Sequence, residues 1–186
     1  MVRALLSILL VGLFVSLSSA QSTVDTFKVE YFDNANAIGA PDGTVRITNS
    51  GTSGEWLCAQ IFVFDPYQEI QECCSCPVSW FGLRKLSVNI DLTLNPLTGV
   101  QQTSGSVEIV SSNYDYYGCR QLPITGVVTP GLRAWGTHLQ DSGTLTESAA
   151  QDVSLSAQQL NSLHRQCQVI ELEGSGKGVC SCGTGD

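Results

Sequence analysis

The sequence predicts a mainly β domain, an antiparallel β-sandwich or barrel-like fold that is stapled by disulfides and carries one C-terminal α-helix. Three observations lead to this prediction. Short apolar segments with a two-residue period recur between turn signals up to about residue 150. A capped segment with helical spacing follows at about residues 156–173. Eight cysteines, an even number, are spread along the chain.

Residues 1–20 have the pattern of a secretory signal peptide. Arg3 gives a positive start, residues 4–15 form an apolar run, and Ser18 and Ala20 place small side chains before a cut after Ala20. The apolar run is too short for a membrane-spanning helix, which needs about 20 residues. We therefore expect residues 21–186 to form one secreted domain, periplasmic or extracellular, with no membrane span after cleavage.

The composition restricts the class of partner. The chain has 186 residues, with 9 Lys and Arg against 17 Asp and Glu, so its net charge is −8. An acidic surface repels phosphate backbones, which excludes nucleic acid as the expected partner. Hydrophobic residues make up 42% of the chain, enough for a packed core and too many for a disordered protein.

The predicted strands come in order along the chain. They lie at residues 27–31, 44–49, 57–64, 86–94, 107–109, 122–128, 132–140 and 143–147, the last two forming a hairpin. The strand at 57–64 is almost continuously apolar and is predicted to be central. The most regular alternation is that of the five aliphatic residues between Leu86 and Leu94. Regularly spaced short strands of this kind are typical of an antiparallel sandwich or barrel.

The helix has a predicted start, buried face and end. Ser156 with Gln159 three residues later matches a capping box, and Gly174 is a natural C-terminal cap. The apolar residues of the segment fall on one face that includes Cys167. We therefore expect the helix to be structural and Cys167 to fasten it to the sheet.

All eight cysteines follow the signal segment, at Cys58, Cys73, Cys74, Cys76, Cys119, Cys167, Cys180 and Cys182. An even count in an oxidising compartment predicts four disulfides. Because a bridge between adjacent cysteines is strained, Cys73 and Cys74 should each pair elsewhere. The Cys-x-Cys near the C-terminus is a natural complement to the group at 73–76, and two bridges there would tie the tail to the middle of the domain. The full connectivity stays open.

A metal site is the alternative for the clustered cysteines. Cys73, Cys74 and Cys76, together with Cys180 and Cys182, could offer thiolates to zinc or copper. Zinc knuckles use Cys-x-x-Cys, which the sequence lacks, and thiolates seldom stay reduced outside the cell. We therefore expect disulfides and no cofactor, and a metal-handling protein is the second hypothesis.

No catalytic constellation is predicted. The sequence has two histidines, His138 and His164, and no Gly-x-Ser-x-Gly elbow that would place a nucleophilic serine beside one of them. Cysteines held in disulfides provide no nucleophile. A non-enzymatic protein is therefore expected, and a secreted hydrolase is the third hypothesis.

Aromatic residues in loop-like segments are the candidate binding residues: Tyr114, Tyr116, Tyr117, Trp56 and Trp80. Exposed tyrosines and tryptophans on disulfide-pinned loops offer contact area at a low entropic cost, which is typical of protein or sugar recognition. The alternative is that these rings plug the ends of the sandwich.

Several segments resemble a group of exported bacterial proteins with eight cysteines and no assigned function. The segments are LCA at residues 57–59 with FVFD at 62–65, QECCSCPV at 71–78, LRAW at 132–135 and GSGKGVCSCG at 174–183. The resemblance covers most of the mature chain and implies secretion and a shared cysteine framework. The residues themselves, and not the resemblance, predict a secreted, non-enzymatic structural or binding module of the extracellular space or cell envelope. Its partner would be an extracellular protein or carbohydrate.

Overall fold

The computed structural model describes residues 25–116, 118–119, 127–140 and 142–185, and confirms the predicted fold class. In these residues the strands are β1 Phe27–Phe32, β2 Thr44–Asn49, β3 Leu57–Phe64, β4 Ile70–Val78, β5 Leu83–Ser87, β6 Gly105–Asn113, β7 Leu132–Leu139, β8 Leu145–Ala149, β9 Gln151–Asp152 and β10 Thr184–Gly185. The helix is α1, Ala157–Glu173. The signal segment at 1–20 and most of the weak strand at 122–128 lie outside the described residues.

Two five-stranded antiparallel sheets face each other. The strand order is β4-β3-β6-β1-β9 in the first sheet and β10-β5-β2-β7-β8 in the second. The predicted hairpin is confirmed, because β7 and β8 are paired from Trp135 opposite Ala149 to Leu139 opposite Leu145. The apolar strand β3 lies in the interior of its sheet, as predicted, and all of its residues are buried.

The chain crosses between the sheets on both sides of the sandwich. On one side Ala150 connects β8 of the second sheet with β9 of the first. On the other side the C-terminal tail forms a bridge from Val179 to Cys73 on β4, and then pairs as β10 with β5. The chain therefore links the two sheets on both sides, which makes the sandwich barrel-like.

Four disulfides join the elements, and the disulfide prediction is confirmed. The pairs are Cys58–Cys119, Cys73–Cys167, Cys74–Cys180 and Cys76–Cys182. The second bridge fastens α1 to β4, and the last two fasten the tail to β4. Four disulfides indicate an oxidising environment, periplasmic or extracellular. Within the described residues, no helix combines the length and apolar composition that a membrane crossing needs.

The helix forms as predicted. Ser156 accepts a hydrogen bond from the Gln159 amide, and the Gln159 side chain accepts one from the Ser156 amide, so the capping box is complete. Cys167 lies on the buried face with Leu163 and Ile170. This face packs on the outer surface of the first sheet and forms a second apolar cluster there, separate from the core between the sheets.

Strand β4 was not predicted from the sequence. Because the clustered cysteines lie on this strand, its alternation decides which way each of them points. The segment at 70–78 carries three cysteines and few of the alternating aliphatic residues that signal a strand. In the structure Cys74 and Cys76 face the core between the sheets, while Cys73 faces the helix. The alternation of the strand therefore explains why adjacent cysteines have partners on opposite faces.

The strand predicted at 86–94 is wrong beyond Ser87. Residues Val88–Leu92 form a π-helical turn, which buries Val88 and Leu92 and leaves Ile90 exposed. Side chains divert the backbone from strand pairing: the Ser87 hydroxyl accepts from the Ile90 amide, and Asp42 accepts from the Asn89 amide. Such side-chain bonds compete with a sheet ladder, and the apolar period does not reveal them.

In β1 the alternation is present, but both faces of the strand are buried. Phe27 on the expected face is in the apolar cluster beneath the helix, whereas Tyr31 on the same face is 59% exposed. On the opposite face Lys28 and Glu30 are 4% exposed. The Lys28 ammonium forms ion pairs with Asp25, at 2.8 Å, and with the distant Asp152, and a buried charge is tolerated when it is paired in this way.

Candidate functional site

Three loops meet at one end of the sandwich, and each carries aromatic residues. In the first sheet Leu57 is opposite both Val78 and Asn113, so residues 56, 79 and 114 emerge at the same end. The loop at 50–56 connects β2 of the second sheet with β3 of the first at this end. The Asn49 side chain donates to the Glu55 carbonyl at 2.8 Å and holds the loop in place. We call the exposed rings Trp56, Trp80, Phe81, Tyr114 and Tyr116 the aromatic end.

Trp56 and Tyr114 form the walls of a shallow cleft. Their ring centroids are 5.6 Å apart with the planes inclined at 57°, and the Tyr114 amide donates to the Trp56 carbonyl at 3.3 Å. Glu55 completes the described lining of this open cavity, which has a volume of about 560 Å³. The Cys58–Cys119 disulfide lies two residues beyond Trp56 and restrains the loop that presents Tyr114.

Trp80 and Phe81 form a second aromatic pair, with stacked rings 5.2 Å apart and inclined at 18°. The Trp80 indole N–H donates to the Gly51 carbonyl at 3.2 Å, which ties this pair to the loop of Trp56. Gly51 has a φ of +77°, and a Cβ there would lie 2.3 Å from the Phe81 ring. Glycine is therefore required at this position by both its backbone conformation and the close contact.

Phe81 has a left-handed backbone conformation, with a φ of +60°. It occupies the third position of a turn that the Gly82 amide closes on the Ser79 carbonyl at 2.8 Å. Glycine or asparagine is usual there, because a bulky residue costs about 1–2 kcal/mol in this conformation. Strained residues of this kind cluster at functional sites, so a strained and exposed phenylalanine points to a surface role.

The structure gathers most of the aromatic residues singled out from the sequence. The exposed fractions are 48% for Trp56, 52% for Trp80, 69% for Phe81, 42% for Tyr114 and 95% for Tyr116. Tyr117 lies outside the described residues. Rings that plugged the sandwich would be buried, and these are not. Sequence reasoning missed Phe81; its position between Trp80 and Gly82 in a segment that signals a turn could have indicated it.

The five cysteines considered as metal ligands are paired with one another or with Cys167 in the structure. Cys73, Cys74, Cys76, Cys180 and Cys182 are all in disulfides, so their sulfur atoms are not available as thiolates. In the part of the chain that the structure describes, no group of three or more His, Cys, Asp or Glu residues is arranged to hold a metal ion.

The two histidines lie in different places, neither of them at the aromatic end. His138 Nε2 is 2.9 Å from the Ser148 hydroxyl and 3.2 Å from Glu30 Oε1. A hydrolytic triad uses one imidazole nitrogen for the serine and the other for the carboxylate, whereas here the same nitrogen approaches both. His164 on α1 contacts the Gln60 side chain at 3.1 Å, and burial lowers its pKa.

Glu30 is a buried carboxyl group beside His138. Its Oε2 has no hydrogen-bond partner among the described residues. Burial raises the pKa of the carboxyl, and the Tyr31 amide and His138 oppose that shift. A Cβ at Gly136 would lie 2.5 Å from Glu30 Cδ, so the glycine makes room for the carboxyl between the sheets. The arrangement joins β1 to β7 and serves packing.

No protein-family model, curated protein or solved structure matches this chain. Residue roles therefore cannot be transferred from a characterised relative. The position, exposure and chemistry of the residues at the aromatic end are the observations from which a function can be inferred.

Proposed function

We propose that the protein is a secreted, non-enzymatic binding module that contacts its ligand with the aromatic end. The observation that carries this proposal is the convergence of exposed aromatic rings from three loops on one end of a rigid sandwich. Tryptophan and tyrosine provide large contact areas and lose little conformational entropy on binding. The signal-like segment at 1–20 and the four disulfides support secretion.

Two features favour binding over catalysis at this end of the molecule. The described lining of the cleft consists of Glu55, Trp56 and Tyr114, which provide one carboxylate and no histidine or second acid. General acid–base catalysis normally requires a positioned partner for such a carboxyl. The disulfide next to the cleft also restrains its walls, and a preformed surface lowers the cost of binding.

Phe81→Gly should separate a ligand-contact role from a packing role. Glycine removes the left-handed strain but is more flexible when unfolded, so we expect the free energy of unfolding to stay within about 1 kcal/mol of the unmodified protein. A ring that plugs the sandwich would instead cost about 3–5 kcal/mol on removal. Urea unfolding measures the difference, and Phe62→Ala on the buried strand β3 is the control that should show the large loss.

The binding role is tested by retention on immobilised cell-wall polysaccharides and extracellular matrix proteins. The unmodified protein should be retained by at least one of them. Trp56→Ala/Trp80→Ala should lose that retention, because each substitution removes the larger ring of one pair. Tyr67→Ala is the matched control, since Tyr67 is 86% exposed in the loop at 65–69, at the opposite end of the sandwich.

Circular dichroism would verify that the double variant is folded. Retention of the unmodified protein by none of the surfaces, or equal retention of the folded double variant, would refute the binding role of the aromatic end.

A further inference from the structure

We infer that the cleft between Trp56 and Tyr114 binds a quaternary ammonium group, as found in choline or trimethyllysine. The inference rests on the proposed binding role of the aromatic end and specifies the ligand chemistry at one place in it. The main observation that supports it is that two inclined aromatic rings and the acidic residue Glu55 line one open cavity.

The geometry of the cleft suits a compact cation. The Trp56 and Tyr114 rings pack against each other at an angle of 57° and both line the cavity, so a group seated in the cavity can contact both rings. A methylated ammonium group presents polarised methyl groups in all directions and is attracted to the negative face of each ring. A flat ligand could lie on only one of two rings inclined in this way.

The charge of the cleft agrees with a cationic ligand. Glu55 is exposed and lines the cavity together with the two rings. The whole chain has a net charge of −8. An acidic protein concentrates cations near its surface and repels anionic ligands, so the general field and the local carboxylate act in the same direction.

The cleft is held in place before any ligand arrives. The backbone carbonyl of Glu55 accepts from the Asn49 side chain at 2.8 Å, and the Trp56 carbonyl accepts from the Tyr114 amide. The chain then turns back at Gly118, whose amide donates to the Asp115 carbonyl at 3.0 Å, and reaches the disulfide at Cys119. Preformed walls suit a small rigid group, because little side-chain ordering is left to oppose binding.

Titration of the full chain with choline, followed by nuclear magnetic resonance of the indole N–H signals, tests the inference. The control ligand is 3,3-dimethylbutan-1-ol, which has the shape of choline without the charge. Choline should saturate the shift of the Trp56 signal and bind at least about fivefold more tightly than the neutral analogue, because only the cation gains cation–π attraction.

Three variants give the test its controls. Trp56→Ala should weaken choline binding at least about fivefold, as read from ligand line broadening. Glu55→Gln keeps the fold, since the side chain is exposed, and should weaken binding about threefold with reduced salt dependence. Tyr67→Ala should bind choline like the unmodified protein.

Equal affinity for choline and its neutral analogue, or full choline binding by Trp56→Ala, would overturn the inference. Either result would leave the proposed binding role in place if retention on the immobilised surfaces still depended on the aromatic end. Phosphocholine and Nε-trimethyllysine are two further ligands for the same titration. Tighter binding of phosphocholine would identify a phosphocholine headgroup as the natural ligand, and tighter binding of trimethyllysine would identify a methylated protein.

Discussion

Replacing Cys58 and Cys119 by alanine should destabilise the protein about twice as much as replacing Cys76 and Cys182. The reverse would be expected from sequence separation alone, because the first bridge spans 61 residues and the second spans 106. A disulfide stabilises mainly by restricting the unfolded chain, so what matters is the loop that it alone closes.

The neighbouring bridges explain the difference. Cys74–Cys180 lies two residues from Cys76–Cys182 on both segments, so after loss of the latter the tail is still held. The intact Cys74–Cys180 bridge leaves only a loop of about six residues for Cys76–Cys182 to close, which gives a loss of about 2 kcal/mol. No neighbouring bridge closes the loop from Cys58 to Cys119. Loss of the Cys58–Cys119 disulfide should therefore lower the free energy of unfolding by about 4 kcal/mol.

Urea unfolding of the two double-alanine variants under oxidising conditions measures both free energies. The comparison is matched in packing, because Cys58 and Cys76 are 2% and 0% exposed on neighbouring strands. Equal losses, or a larger loss for the Cys76–Cys182 pair, would show that the neighbouring bridges do not compensate for one another in the unfolded chain.

The parts of the fold that the sequence predicts well are those with local causes. The capping box at Ser156 and the helical spacing of its buried residues lie within one segment, and the structure reproduces them. The strands at 44–49 and 57–64 likewise follow from their own composition and period. The link from the cysteine group at 73–76 to the tail also follows, since the tail has the complementary spacing.

The errors have distant causes. The turn at Val88–Leu92 depends on a carboxylate at Asp42, and the burial of Lys28 on β1 depends on an ion pair with Asp152. No apolar period within 88–92 or 27–32 contains that information. The aromatic end has the same limit: the sequence offers Trp56, Trp80 and Tyr114 as separate residues, and only the register of the sheets brings them to one end.

Phe81 shows a further limit of sequence reasoning. It has a backbone conformation that the residue type disfavours, and propensity arguments assign such positions to glycine or asparagine. A residue held against its own conformational preference is therefore missed by sequence patterns and is found only in a structure.

The second large effect concerns pH and a buried carboxyl group on β4. Glu72 is 1% exposed; its Oε1 accepts from the Asn95 amide at 2.7 Å, and its Oε2 has no partner among the described residues. Burial raises the pKa of Glu72 to about 7, against the smaller opposing effect of that hydrogen bond. The folded protein therefore holds this proton at pH values where the unfolded chain has released it.

The direction of the effect follows from the raised pKa. Between the unfolded value of 4.5 and the folded value of about 7, the folded state binds more protons, so stability falls as pH rises through this range. The stabilisation that comes from the protonated Glu72 is complete below about pH 4.5 and is lost above about pH 7. It amounts to about 3 kcal/mol in the free energy of unfolding. Glu72→Gln should remove this part of the pH dependence of stability, because the glutamine side chain keeps an acceptor for the Asn95 amide and cannot ionise.

Urea unfolding from pH 4 to pH 8 tests this expectation through the difference between Glu72→Gln and the unmodified protein. Burial also raises the pKa values of Glu30, Glu108 and Glu171 and lowers that of His164, but these groups are present in both proteins and cancel in the difference. The variant should gain stability relative to the unmodified protein as pH rises, approaching about 3 kcal/mol at pH 8.

The matched control is Glu69→Gln, an exposed glutamate three residues earlier in the chain. Its side chain is exposed, so the substitution controls for the loss of one surface charge. A Glu72→Gln profile that runs parallel to that of the unmodified protein would mean that the buried carboxyl ionises in the folded state as easily as in the unfolded chain. The segment around Asn95 would then have to open to water without unfolding the sandwich, and hydrogen exchange at the Asn95 amide would detect that opening.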